Sequence, residues 1–419
     1  MHTKIALILL TLLLLQSCGK KDEEAQPVQQ SLTGNSSLNK FILTSKEEEV
    51  IRVDPATGAH EKLFSFEKYA DVADIDYLNG IMYVTAEDNS INAIDLQSKK
   101  LLWDLPLIDY ELTTISSQTT TVKDNVCYAV GEAGVMLAID IVSGKPIWAY
   151  NLNPSGSTDS YYPTSAITVT ANKVFIGSNQ TVLYEDERNY VFALDRATGK
   201  LIWRKELPKG KWVSGAIKLA GNTLLVPANN LMALDVATGN LIWEFKMPEL
   251  DRGAGSPSIA GDRVLVHGSM NAALGGRLFC LNLSNGQKIW DIEGGGEVVG
   301  GYAPLVVDKV VFGVYERGSS LQRFGNGRPY LADIATGKKI WENDDISVET
   351  SPVYANGRLF FHGQHFAGEG SIDDNVGLLC LDAATGKFLW INNYFRFGAA
   401  VTPIVVADNG IFRPGSYQE

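Results

Sequence analysis

Ala193-Leu194-Asp195-Arg196-Ala197-Thr198-Gly199-Lys200-Leu201-Ile202-Trp203 is followed 40 residues later by Ala233-Leu234-Asp235-Val236-Ala237-Thr238-Gly239-Asn240-Leu241-Ile242-Trp243. The same frame stands at Asp95/Trp103, Asp140/Trp148, Asn282/Trp290, Asp333/Trp341 and Asp382/Trp390. A degraded copy occupies Asp54-Pro55-Ala56-Thr57-Gly58, where Phe64 or Phe66 is expected to replace the indole. That makes eight copies, whose first positions are separated by 41, 45, 55, 40, 47, 51 and 49 residues, and in seven of them the tryptophan comes eight residues later. A constant spacing inside a variable period identifies one structural unit repeated with loops of different length.

Each unit reads as four strands. Alternating apolar runs such as Lys173–Gly177 and Arg263–His267 precede the phrase, each entered through a two-residue turn, Ala171-Asn172 or Gly261-Asp262. In the phrase itself the aspartate can accept hydrogen bonds from amides two or three residues on, and the glycine supplies the positive φ that closes a hairpin. Lys99 replaces that glycine in the second copy, which predicts a looser turn there. The residue two before the aspartate is small in Ala93, Ala138, Ala193 and Ala233, leaving room for the indole, and Cys280 and Cys380 stand at the same place as buried fillers. Leu331 departs from this pattern.

Four-stranded meanders of this length, repeated radially, form a β-propeller in which each sheet covers the apolar face of the next. The expected fold is therefore all-β: an eight-bladed β-propeller of four-stranded antiparallel blades over residues 40–419. Val401–Val406 and Gly410–Phe412 still read as strands after the last tryptophan, while the first copy lacks its innermost run. The C-terminal strand should thus complete the first blade and close the ring.

The composition agrees. Of 419 residues, 40 are glycine, 16 tyrosine, 16 phenylalanine and 8 tryptophan, which favours short strands and tight turns over packed helices. The net charge of -12 would repel a phosphate backbone, so nucleic acid is not an expected partner. Cys18, Cys127, Cys280 and Cys380 are far apart and form neither a disulfide framework nor a zinc motif.

Residues 1–17 place Lys4 before an apolar block too short to span a bilayer and read as a signal peptide. Their end, Leu15-Gln16-Ser17-Cys18, resembles a bacterial lipobox, which implies lipidation of Cys18 and an outer-membrane anchor. Residues 18–39 are polar and aperiodic, a flexible tether. Lys20-Lys21-Asp22-Glu23-Glu24 resembles the signal that exports some lipoproteins to the cell surface, so the periplasmic side and the surface both stay open, and a surface-exposed glycan- or protein-binding lipoprotein stays an alternative.

The repeated phrase resembles that of the quinoprotein-type (PQQ-like) propellers over nearly the whole chain. Two branches of that family share it: the pyrroloquinoline-quinone dehydrogenases and the BamB lipoproteins of the β-barrel assembly machinery. Lipobox and near-minimal length favour the second, which implies a non-enzymatic scaffold whose partners are an outer-membrane protein complex. The first implies a quinone cofactor with calcium, an adjacent cysteine pair and an acidic base. No adjacent cysteine pair exists here. Trp212, the one tryptophan outside the phrase, is the available stacking surface for such a group.

Strand parity puts the first and third connections of every unit on one end of the ring and the second and fourth on the other. The long connections, Tyr184 to Tyr190, Glu316 to Arg328, Gly363 to Asn375, Asn153 to Thr164 and Asn392 to Thr402, all belong to the second set. A partner-binding face is expected there, with Tyr161, Tyr162, Arg188, Trp212, Arg317, Phe324, Tyr394, Phe395 and Arg396 as anchors, because exposed aromatics and arginine dominate interfaces. Phosphate-binding and hydrolase motifs are absent. His362 and His365 with His267, and the acidic residues Asp344, Asp345, Asp373 and Asp374, are the metal candidates to test; no metal is expected.

Overall fold

A computed structural model describes residues 41–67, 70–86, 90–106, 120–130, 134–152, 160–163, 165–181, 188–247, 254–269, 276–293, 303–316, 327–366, 375–395, 403–407 and 410–412. The fold is all-β and propeller-like, with seven antiparallel sheets following one another along the chain. Six contain four or five strands and one contains nine, the last carrying the copies around Asp333 and Asp382.

Local chemistry explains the hairpin that closes each unit. Asp195 Oδ1 accepts the Thr198 N–H at 2.9 Å and the Thr198 hydroxyl at 2.7 Å, and the Gly199 N–H returns to the Asp195 carbonyl at 2.9 Å. These donors to the charged form hold the Asp195 carboxyl below its usual range. The small residue lies directly across from the indole, Ala193 opposite Trp203 and Cys280 opposite Trp290. Leu331 takes the same place opposite Trp341 and is buried.

The tryptophans join each copy to the next. Trp203 lies over Gly239 of the following copy so closely that a Cβ on that glycine would stand 2.8 Å from Cε3. Its Nε1–H donates to the Val236 carbonyl at 3.1 Å. Trp103, Trp148, Trp243, Trp290 and Trp341 repeat both contacts, on Gly144, Gly199, Gly286, Gly337 and Gly386 and on the carbonyls of Ile141, Arg196, Leu283, Ile334 and Ala383. The glycine therefore serves two purposes, the positive φ of the turn and the seat of the neighbour's indole.

One expectation is refined at the first copy and another corrected at the second. Lys62, not a phenylalanine, occupies the indole's frame position, where it pairs with Glu49 at 2.9 Å. The strand bulge has moved to Val50/Ile51, so Phe64 faces Val50 and packs with Phe66 into the core shared with the second copy. Nor is the turn at Lys99 loose: its φ is 56° and its N–H closes on the Asp95 carbonyl at 2.8 Å, as in the glycine turns. With no indole above it, a side chain fits, and Lys99 Nζ reaches Glu61 of the first copy at 2.5 Å.

Closure follows the expected route. Ile404–Ala407 pairs antiparallel with Phe41–Lys46, Leu43 opposite Ile404 and Phe41 opposite Val406, and Gly410–Phe412 adds one more strand. Trp390 then lies over Gly58. Here Arg358 donates to the Pro55 carbonyl at 2.7 Å, the group an indole takes at the six other indole seams, and Trp390 Nε1 is buried without a partner among the described residues.

Candidate functional site

Much of the expected loop face lies outside the described residues, including Arg317, Phe324 and Arg396, and so do Cys18 and the rest of residues 1–40. The connection between the fourth and fifth copies is described in full. It carries Trp212, which is 36% exposed.

Three asparagines from different segments hold that connection. Asn229 Oδ1 accepts the Trp212 N–H at 2.8 Å, and Asn189 Nδ2 donates to the Lys211 carbonyl at 2.8 Å. Asn179 pairs with both backbone groups of Val213 at 3.0 Å. The preceding turn closes from Lys211 N–H to the Pro208 carbonyl at 3.0 Å, with Gly210 at φ +75°. Trp212 is thus an aromatic on a pre-organised backbone beside exposed Lys209, which reduces the entropy cost of using it as an anchor. Arg188 is exposed next to Asn189, so two of the expected anchors share this locale. The asparagine supports had no local sequence signal, because each acts across chain segments.

Tyr161 and Tyr162 lie on a strand, Ser160–Pro163, paired with Ser178 through Thr181. The corresponding strand of the last copy, Ile346–Val348, pairs with Gly363 through His365, and Val348 also bridges to Gly327 of the preceding copy. At the same frame position the Val213 edge is satisfied by Asn179, the Ala254 carbonyl by Ser214 Oγ at 2.6 Å, and position 163 is a proline, which has no N–H to offer. These inner edges are occupied or blunted, so an incoming chain finds side chains there rather than an open ladder.

Tyr394 and Phe395 belong to the closure seam. His60 stacks on Tyr394 at 4.1 Å, Lys46 Nζ lies 4.3 Å from the ring centroid, and the Tyr394 hydroxyl donates to Glu49, a hydrogen bond that, with burial, pushes that phenol up to about 12. Phe395 is 4% exposed, packed against His60 and His362. Phe395 is therefore buried in the seam: the chain turns inward after Asn392, whose side chain bonds to the Gly58 carbonyl at 2.7 Å.

The metal candidates do not converge. His362 and His365 are three apart on one strand and point to opposite faces. His362 Nε2 lies 2.8 Å from Thr44 Oγ1, and burial pulls its pKa down to about 3. His365 stacks on Phe388 at 4.1 Å. His267 is buried in another copy. Asp344 and Asp345 are exposed, and Asp373 and Asp374 lie outside the described residues. No group of three or more His, Cys, Asp or Glu side chains capable of holding a metal occurs among the described residues. Cys127, Cys280 and Cys380 are buried in three different copies, and burial raises the Cys280 thiol to about 11 and Cys380 to about 12. The described cysteines are each free, so the adjacent pair that the resemblance to the dehydrogenases implies has no counterpart among the described residues.

A family model described as outer membrane protein assembly factor BamB matches residues 25–186 and 176–392. BamB of Salmonella typhimurium is 33% identical over 90 residues, 20% of this chain and 20% of its own length. The dehydrogenase subunit of the quinone alcohol dehydrogenase of Acetobacter aceti is 31% identical over 138 residues, 30% of this chain and 18% of its own. The matched segments therefore span about a fifth of each curated relative. Among solved structures, BamB from Moraxella catarrhalis superposes with a TM-score of 0.54 at 14% identity, covering 81% of this chain and 97% of that one, which supports the fold alone. With the repeat, the indole seams and a family match across both halves, this chain belongs to the PQQ-like β-propeller repeat family described as outer membrane protein assembly factor BamB.

Proposed function

We propose that this protein is a lipid-anchored, eight-bladed scaffold at the outer membrane that, in the manner of BamB, assists assembly of β-barrel proteins without catalysing a reaction. The observation that carries this reading is the extent of the BamB family match, residues 25–392 with its two segments overlapping. The eight-blade reading is supported by the nine-stranded sheet, which consists of two repeat units joined through the single bridge between Gly327 and Val348. The anchor reading rests on the lipobox-like Leu15-Gln16-Ser17-Cys18.

The mechanism is docking by a rigid body. Indole seams fix neighbouring blades, so little conformational entropy is lost when the ring binds. The pre-organised connection bearing Trp212, with Arg188 alongside, supplies an aromatic and a cationic contact of the kind that dominates interfaces. Affinity capture from membranes tests this: outer-membrane assembly components should co-purify with the wild type and less so with Trp212→Ala. Deletion of the gene should also lower outer-membrane barrel levels; unchanged profiles together with no captured component would end the assembly reading.

A second reading, a small quinoprotein dehydrogenase, is favoured by the similarity to the dehydrogenase subunit of Acetobacter aceti. Pyrroloquinoline quinone and calcium added to the purified protein should then give a bound chromophore and dye reduction. The absence of both would remove it.

A further inference from the structure

The chain contains five Asn-Gly pairs, and in three of them both residues are described: Asn79-Gly80, Asn285-Gly286 and Asn356-Gly357. An Asn-Gly pair can cyclise when the glycine backbone nitrogen attacks the asparagine side-chain carbonyl, because no Cβ shields the nitrogen. Whether it does so depends on whether the nitrogen and the amide are free to meet.

In two pairs they are not. The Gly286 N–H is committed to the Asn282 carbonyl at 2.8 Å, the Asn285 side-chain oxygen accepts the Gln287 N–H at 2.9 Å, and Trp243 lies over Gly286. The Gly357 N–H is engaged by the Tyr354 hydroxyl, and Asn356 is half-buried with contacts of its own. Asn79-Gly80 differs on every count. Asn79 is exposed, its side-chain amide makes no hydrogen bond among the described residues, and neither does the Gly80 N–H. A Cβ built on Gly80 meets nothing within 4 Å, so solvent reaches the pair from the tip of the turn between Val72–Leu78 and Ile81–Ala86.

We propose that Asn79 is the preferred deamidation site among these pairs, a spontaneous modification that adds one negative charge to the tight-turn end of the second copy. The Gly80 nitrogen forms a bond to Asn79 Cγ, ammonia leaves carrying the side-chain nitrogen, and the resulting cyclic imide takes up one water. Opening at either carbonyl yields aspartate or isoaspartate, with no net oxidation or reduction. The isoaspartyl product inserts one extra backbone atom into a two-residue turn whose residues stand at φ 50° and 89°, so the hairpin must rearrange locally.

The purified full chain, incubated at mildly alkaline pH in H2(18)O and mapped by peptide mass spectrometry, tests this directly. Asn79 should gain mass through ammonia loss and labelled-oxygen uptake several-fold faster than Asn285 or Asn356, and Gly80→Ala should slow it. A urea-unfolded sample should bring the three sites to similar rates, because the protection at Asn285 and Asn356 comes from the fold. Equal rates in the folded chain, or a faster reaction at Asn285 or Asn356, would overturn the assignment. This outcome is independent of any partner and leaves the proposed function untouched.

Discussion

At Gly239 a backbone requirement and a packing requirement coincide, and a substitution separates them. Its φ is +71° and a Cβ there would stand 2.8 Å from Trp203 Cε3, whereas Gly221 has φ +57° with open space around it. Gly221→Ala should cost about 1 kcal/mol, the price of a left-handed backbone alone. Gly239→Ala adds a clash inside a packed seam, for a total of about 2 to 4 kcal/mol. Urea midpoints of the two variants check this, and equal losses would mean that the indole shifts freely. His362 gives a pH effect. Burial holds its imidazole neutral to about 3, against an ordinary value of 6.5, so the unfolded chain binds that proton first. The stabilising effect is complete above 6.5 and is lost as pH falls toward 3, at up to ~1.4 kcal/mol per pH unit. Glu349, whose carboxyl burial raises, acts in the opposite sense by protonating first in the folded chain. His362→Gln should therefore flatten the decline in stability between pH 6.5 and 4; identical slopes for variant and wild type would refute the assignment.

Among the described strands, Ile404–Ala407 is the one from the far end of the chain that pairs with Phe41–Lys46, and Gly410–Phe412 extends that sheet. Removing residues 404–419 would leave Phe41–Lys46, an almost wholly buried strand, with an open edge. The truncated chain should associate and lose cooperative unfolding, readable by size-exclusion chromatography and by denaturation. A monomeric, cooperatively folding product would show that the first copy completes itself. At this scale the sequence was legible where a requirement is local. The aspartate turn, the indole spacing and the small residue opposite it all act within about a dozen residues. At the first copy it found the aromatics Phe64 and Phe66 that pack against the second copy, but not the shift of the bulge to Val50/Ile51 that puts Lys62 in the indole's frame position.

Across the whole molecule, six indole seams share one geometry, a seventh closes the ring with a displaced hydrogen bond, and the seam between the first two copies has none. That last seam relies on Phe64, Phe66 and the exposed Lys99–Glu61 pair, which contributes little on its own. It should open first: amide exchange should be faster in His60–Ser65 than in the equivalent outer strands Leu201–Glu206 and Leu241–Phe245. Uniform exchange around the ring would show that the aromatic pair fully replaces an indole.

The sequence by itself determined the repeat, the all-β class, the closing strand and the membership of a propeller family, because each follows from residue types at fixed short separations. The tertiary structure decided what Lys99, Phe395 and Pro163 do: Lys99 keeps a tight turn because no indole covers it, Phe395 turns into a seam, and Pro163 blunts an inner edge. It also showed that Asn179, Asn189 and Asn229 support Trp212. Those roles depend on which distant segment is packed opposite, and a linear pattern does not carry that information.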